Sequence, residues 1–233
     1  MDNVQILLKT EGRFNSEYNL NNSMSKFFGY FGAVAKKPFV VCFKEDGKLI
    51  VQKYKPVKKV VISQNLFREY DCLKYVCSRC CFKIRDWNIY TEQQHKDLIT
   101  YYSNEIIYGK NIFVYVNGKM FNFYVEDNTK IICNHLDKEN NLCSIHKINP
   151  IHCALPLIKF KLNNRTGKTY ITREYFGRNW LMKCPVKFKP MTEEGFKTTI
   201  WMLSRVERIA IELEIETHLR DVINKVKDMW KLG

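Results

Sequence analysis

The residues with the clearest capacity for chemistry are the cysteines, because eight of the nine fall into three short segments. These eight are Cys72, Cys77, Cys80 and Cys81, then Cys133, Cys143 and Cys153, and finally Cys184. Thiolates are soft ligands that select zinc, copper(I) or iron-sulfur clusters, and a two-residue gap such as that between Cys77 and Cys80 lets one centre receive two sulfurs. We therefore predict that these eight cysteines supply the ligands of a metal site.

The identity of the metal follows less directly from the ligands. Four thiolates satisfy one [4Fe-4S] cluster, and eight provide for two sites. A thiolate tetrad also suits zinc, so we predict a [4Fe-4S] cluster with zinc as the alternative. Three histidines, His135, His146 and His152, flank the second cysteine segment, and we expect them to support the ligands rather than join them.

Two other interpretations of the cysteines were weighed. Free cysteine behaves as a small apolar residue, and we expect this role for Cys42, which lies in the apolar run Phe39–Phe43 and should be a core residue. Disulfide bonds are disfavoured because the sequence shows neither a secretory leader nor an apolar stretch of about 18 residues. We therefore expect a cytoplasmic protein without a membrane span, in which thiols stay reduced.

The order of these residues resembles that of the CxxCxxCC cysteine-cluster proteins, also called the YkgJ family, which is described as zinc- or iron-chelating. The residues that match its pattern are Cys77, Cys80, Cys81, Cys133, Leu136, Cys143, Ile145, Pro150, Cys153, Pro156, Cys184 and Pro185. The chain departs from the pattern at His146, Asn149 and Val186, where the family has Tyr, Arg and Gly. The resemblance covers about half of the chain and implies a cysteine-ligated metal centre.

The first cysteine block, with Trp87 and Ile89 beyond it, also resembles more loosely that of the flagellin lysine N-methylase (FliB) family. This second resemblance implies a protein lysine N-methyltransferase. The sequence shows no Gly-rich strand-to-helix loop of the kind that a nucleotide-type cofactor prefers. Two classes of function therefore remain: a metal-binding protein with a structural, electron-carrying or metal-handling role, and an enzyme that methylates proteins.

Positive charge is the second marked feature of the sequence. The formal net charge is +14, and the segment from Lys36 to Lys59 holds eight lysines against two acidic residues. The segment from Lys159 to Lys189 holds nine basic residues against Glu174 alone. A field of this sign favours an anionic partner, either nucleic acid or an acidic protein, so a nucleic-acid-binding metalloprotein is a further alternative. The sequence leaves the oligomeric state open.

Local patterns predict an α+β fold in which short antiparallel hairpins surround the cysteine-ligated site, with a helical segment at the C-terminus. The predicted strands are Phe39–Phe43 with Leu49–Tyr54, Lys58–Ser63, a hairpin across Asn111–Val125 that turns at Asn117-Gly118, and the pair Leu157–Leu162 and Thr169–Tyr175. One predicted helix runs from a cap at Thr91 to Tyr102, and a short one stops at Pro150. The segment Thr192–Trp230 is predicted to form either one long helix or two helices that break near Glu214–Thr217.

These patterns suggest how the chain divides. We expect residues 1–190 to form the cysteine-cluster domain and residues 191–233 to pack on it as a helical segment.

Overall fold

The chain combines helices with mainly antiparallel strands, as the sequence predicts. A computed structural model describes residues 19–69, 87–102, 109–127, 133, 135–137, 139–140, 143–145, 150–154, 158–173 and 189–231. The helices are α1 (Leu20–Gly32), α2 (Glu92–Tyr102), α3 (Ile151–Ala154), α4 (Glu193–Glu212) and α5 (Leu219–Lys231). The strands are β1 (Phe39–Glu45), β2 (Lys48–Tyr54), β3 (Lys59–Ile62), β4 (Arg68–Glu69), β5 (Asn88–Thr91), β6 (Gly109–Val116), β7 (Lys119–Glu126), β8 (Ile158–Asn163), β9 (Lys168–Arg173) and β10 (Lys189–Pro190).

Two tight hairpins build the larger sheet. In the β1–β2 turn, Asp46 and Gly47 have φ values of 49° and 76°, and in the β6–β7 turn Asn117 and Gly118 have values of 50° and 84°. Turns with two positive φ angles match the twist of the flanking strands, which explains the Asp-Gly and Asn-Gly sequences. Both hairpins confirm the prediction. They join through β1 and β6, and β5 adds to β7, which gives the strand order β2-β1-β6-β7-β5.

Helix α1 covers one face of this sheet. Its buried residues Met24, Phe28 and Phe31 follow helical spacing and share a core with Phe43 and Phe123 of the sheet. The helix begins at Asn19, whose side chain accepts a hydrogen bond from the Asn22 backbone N–H at 2.8 Å. The sequence patterns predict no element in this part of the chain, so α1 is an addition to the predicted fold.

A smaller sheet has the order β3-β9-β8. Strands β8 and β9 form the predicted hairpin, and Gly167 in its turn has φ 64°. Strand β3 confirms the predicted strand at 58–63, although its parallel pairing with β9 was not predicted. A third, two-stranded sheet pairs β4 with β10.

The C-terminal segment forms two helices, in agreement with the predicted break. Helix α4 begins at Thr192, whose hydroxyl accepts from the Gly195 N–H, and ends where the Ile215 N–H bonds the Ala210 carbonyl. The buried sides of α4 and α5, including Leu203 and Val222, belong to the same apolar core as α1 and the larger sheet.

The two shorter helices differ in how well they match the prediction. Helix α2 has the predicted cap, since the Gln94 N–H bonds Thr91 Oγ1 and the Thr91 N–H bonds Gln94 Oε1. The helix predicted to stop at Pro150 falls mainly on residues 146–149, which lie outside the described residues, and the described helix of this region, α3, begins immediately after Pro150. Proline lacks an N–H and fits the first turn of a helix, where the donor has no partner.

Candidate metal centre

The segment after β7 holds Cys133 and Cys143 together through backbone hydrogen bonds. The Leu136 N–H donates to the Cys133 carbonyl at 3.2 Å, and Leu136 forms an isolated bridge with Cys143. Both the N–H and the hydroxyl of Ser144 donate to the His135 carbonyl, at 2.9 and 3.1 Å. The chain therefore doubles back between the two cysteines, which lie ten residues apart in sequence.

Cys153 reaches the same region from a different element. It lies in α3, where its N–H donates to the Pro150 carbonyl at 2.9 Å. Helix α3 packs against α1 and α4, and its first residue, Ile151, is buried in the main core. This anchoring fixes the backbone that carries the third thiol.

The three cysteines lie around one buried side chain, Tyr90 of β5. Cys143 packs on the small apolar cluster that Tyr90 forms with Leu98, Tyr124 and Ile145. Burial raises the pKa of Tyr90 well above its ordinary value, and negative charge on Glu126, Cys153 and Cys133 raises it further. The pKa of Cys143 is raised as well, first by burial and also by Cys133. Cys133 and Cys153 are therefore near enough to Tyr90 to affect its pKa, and Cys143 packs on the cluster that contains it.

A buried carboxylate lies next to Tyr90. One oxygen of Glu126, Oε2, is 2.8 Å from His135 Nε2, accepts from Asn88 Nδ2 at 2.9 Å, and accepts from the Tyr90 hydroxyl at 3.4 Å. Glu126 is fully buried, and Asn88 is opposite it in the β5–β7 register. Whether His135 supports the ligands, as predicted, or joins them stays a prediction.

A guanidinium group supplies positive charge from the opposite side. Arg205 of α4 is buried, and its guanidinium lies 4.9 Å from the centre of the Trp201 ring. Burial and the neighbouring Arg208 lower the pKa of Arg205 to about 10, while Cys153 and Tyr90 act in the opposite direction. Arg205 is therefore charged at neutral pH and close enough to Cys153 to stabilise a thiolate there.

The predicted ligands are only partly covered by the structure. Cys72, Cys77, Cys80, Cys81 and Cys184 lie outside the described residues, as do His146 and the side chain of His152. The four described cysteines form no disulfide bond with one another. Within the described ranges, no group of three or more His, Cys, Asp or Glu side chains is placed to hold a metal ion. The thiols of Cys133, Cys143 and Cys153 have the chemistry of soft metal ligands, and Arg205 near Cys153 favours the thiolate form that binds a metal.

The prediction for Cys42 is wrong. Burial alternates along β1, and Cys42 is only half-buried because it points away from the core that Val41 and Phe43 occupy. An uninterrupted apolar run does not reveal which face of its strand is turned toward the main core.

Sequence reasoning also missed Glu126, Asn88, Tyr90 and Arg205. Their residue types are unremarkable in the sequence, and only the pairing of β5 with β7 and the packing of α4 bring them to the cysteines. A cavity of about 400 Å³ between α4 and α5 was missed for the same reason; it is lined by Phe196, Lys197, Ile200, Trp201, Lys227, Trp230 and Lys231.

Comparisons with protein-family models, with curated proteins and with solved structures each found no match to this chain. In the described part of the chain, none of the helices combines the length and the apolar composition needed to cross a membrane.

Proposed function

We propose that this chain is a cysteine-cluster metalloprotein that binds a [4Fe-4S] cluster, with Cys133, Cys143 and Cys153 among the ligands. The placement of Cys133, Cys143 and Cys153 near the same buried tyrosine, Tyr90, is the observation that supports the proposal. Core packing alone does not require three cysteines at regular intervals of ten residues to lie near one buried tyrosine and the buried carboxylate that it contacts.

The charges around the thiols support an anionic metal centre. Four thiolates around a cluster leave a net negative charge, which is stable in a buried position only beside positive charge or hydrogen-bond donors. Arg205 provides the positive charge near Cys153, and Glu126 holds His135 beside Cys133. The remaining ligand or ligands come from the set Cys72, Cys77, Cys80, Cys81 and Cys184.

The proposed role is structural, electron-carrying or metal-handling, in the reducing environment of the cytoplasm. A cluster held by Cys133 and Cys153 would link the segment after β7 to α3, which packs on α1 and α4. Such a link stabilises the folded chain because the unfolded chain binds the metal weakly or not at all.

The test is metal and sulfide analysis of protein purified without oxygen. We expect about four iron atoms and four acid-labile sulfides for each chain, with the broad visible absorption of iron-sulfur clusters. The Cys133→Ser, Cys143→Ser and Cys153→Ser variants should each contain less iron than the parent chain.

Cys42 offers a matched control, since it is a half-buried free thiol on the side of β1 that faces away from the main core. The Cys42→Ser variant should keep the full iron and sulfide content. A colourless protein with stoichiometric zinc would replace the cluster by the zinc alternative, and protein with neither metal would refute the proposal. Equal iron loss in all four variants would also contradict it.

A further inference from the structure

The outer side of the small β3-β9-β8 sheet is basic and carries an exposed aromatic ring. Phe160, Ile62 and Ile171 pack toward the main core, so the alternate residues of each strand point to the other side. We call this side the Tyr170 face; its residues are Lys59, Val61, Lys159, Lys161, Lys168 and Tyr170. Thr172 is buried at one end, whereas Lys59 and Lys168 are exposed at the other.

The charges on this face all have the same sign. Strands β3, β8 and β9 contain no acidic residue. Lys59 and Lys168 are direct neighbours in the parallel register, and among the described residues neither has an ion-pair partner. Like charges directly opposite each other on a sheet destabilise it. An anion bound between Lys59 and Lys168 would remove that repulsion.

Two further cations lie at the same end. Lys58 precedes β3, and its N–H donates to the Gly167 carbonyl at 2.8 Å, which brings it to the turn between β8 and β9. Arg165 lies in this turn and is exposed. The basic region therefore continues from the flat face around the edge of the sheet.

Tyr170 gives the face a second means of recognition. Its side chain is 40% exposed, and its direct neighbours in the register are Val61 and Lys161. The ring is therefore an accessible apolar surface surrounded by lysines. Lys168 and Tyr170 are successive same-face residues of β9 and therefore lie about 6.6 Å apart.

We propose that the Tyr170 face binds single-stranded nucleic acid, with a base stacked on Tyr170 and backbone phosphates against Lys59 and Lys168. A single strand presents unpaired bases and a line of negative charges together, and proteins bind it with aromatic platforms inside basic surfaces. An acidic protein would match the lysines but gives no reason for an exposed ring at their centre. None of the residues of this face is a proposed metal ligand, and the inference goes beyond the proposed metal-binding function.

The test is fluorescence anisotropy of the full chain with a labelled single-stranded oligonucleotide of about 12 nucleotides, over a range of salt concentrations. The Lys59→Glu variant should lose affinity at least tenfold, because the new carboxylate both removes one cation and pairs with Lys168. The slope of log K against log salt should fall by about 0.7 to 1.4, which corresponds to one or two lost phosphate contacts. The Tyr170→Leu variant should lose affinity about tenfold with an unchanged salt slope, since stacking carries no net charge.

Lys225→Glu is the matched control, because Lys225 is exposed on α5 and the substitution changes the net charge by the same amount. It should leave the affinity within about twofold of the parent value.

Equal losses of affinity for Lys59→Glu and Lys225→Glu, or an unchanged affinity for Tyr170→Leu, would overturn the proposal. Displacement of the oligonucleotide by poly-glutamate at equal charge concentration would overturn it in favour of an acidic protein partner. Iron and sulfide contents measured on the same variants separate a lost metal centre from a lost nucleic-acid surface.

Discussion

Glu126 shows how one buried side chain organises the cysteine region. Its Oε2 receives the Asn88 amide and the Tyr90 hydroxyl and contacts His135, and all four residues are almost completely buried. A buried carboxylate without such partners would be strongly unfavourable, so the Glu126 carboxylate and the groups that donate hydrogen bonds to it stabilise one another. The arrangement also fixes β5 beside β7 at the edge of the sheet.

This dependence predicts a specific loss of stability. The Glu126→Gln substitution keeps the shape of the side chain but removes the charge that strengthens three contacts. We expect the free energy of unfolding to fall by about 1.5 kcal/mol, within the range for hydrogen bonds to charged groups. Urea unfolding followed by circular dichroism measures this change.

Glu216→Gln is the corresponding control at an exposed position, where Glu216 pairs with Lys37 at 2.6 Å. Exposed ion pairs contribute little, so we expect a change below about 0.5 kcal/mol. A Glu126→Gln variant as stable as Glu216→Gln would show that the buried contacts do not depend on the carboxylate charge.

At the level of elements, the start of α4 is held by a neighbouring strand. Glu69 of β4 accepts from the N–H and the hydroxyl of Thr192 at 3.0 and 2.9 Å and pairs with Lys189 of β10. The chain can approach this closely only because residue 195 is glycine, since a Cβ there would lie 1.7 Å from Glu69 Oε2. The carboxylate thus occupies the space that a side chain would otherwise fill.

Two glycine substitutions therefore have opposite predicted effects. Gly195→Ala displaces Glu69 from its hydrogen bonds and should lower the free energy of unfolding by about 1 to 2 kcal/mol. Gly29→Ala, in helix α1, adds a Cβ with no atom within 4 Å and should raise it by about 0.5 to 1 kcal/mol. Thermal and urea unfolding of both variants test the pair, and a stabilising Gly195→Ala would refute the close approach.

The elements also show how far the sequence predicts this molecule. Hairpins such as the one at Asn117-Gly118 were predictable because their turn residues act locally. Helix α1 was not, since Gly29 and several Asn and Ser residues weaken its intrinsic preference, and burial of Phe28 and Phe31 against the sheet stabilises it instead. The cysteines were identifiable by type, whereas Glu126 and Asn88 meet only through a strand pairing that spans 38 residues.

For the whole molecule, net charge dominates the response to salt. The formal charge is +14, and most of the described ion pairs lie at exposed positions, as in Lys36 with Asp221 and Lys37 with Glu216. Exposed pairs contribute little, while repulsion among the excess cations opposes the compact state. Raising NaCl from about 0.05 M to about 0.5 M shortens the Debye length from about 14 Å to about 4 Å and weakens this repulsion. We therefore expect the urea midpoint at pH 7 to rise with salt, and a fall would mean that ion pairs outweigh the repulsion.

Acid should destabilise the chain for two reasons that add together. Burial acts to raise the pKa of Glu69, but hydrogen bonds from Thr192 and Lys189 outweigh burial and hold this pKa below its ordinary value of 4.5. A hydrogen bond from Lys36 likewise lowers the pKa of Asp221. A carboxyl group with a lowered pKa stabilises the fold above its ordinary pKa, and this contribution is lost as the pH falls through the lowered value. Protonation of carboxylates also increases the net positive charge.

We expect the urea midpoint to fall steeply below about pH 4.5 and to recover partly when salt is added. In the Glu69→Gln variant the fall should be smaller, because this variant has no carboxyl group to protonate at position 69. Parallel acid curves for the parent chain and Glu69→Gln would show that Glu69 has the same pKa in the folded and unfolded chain.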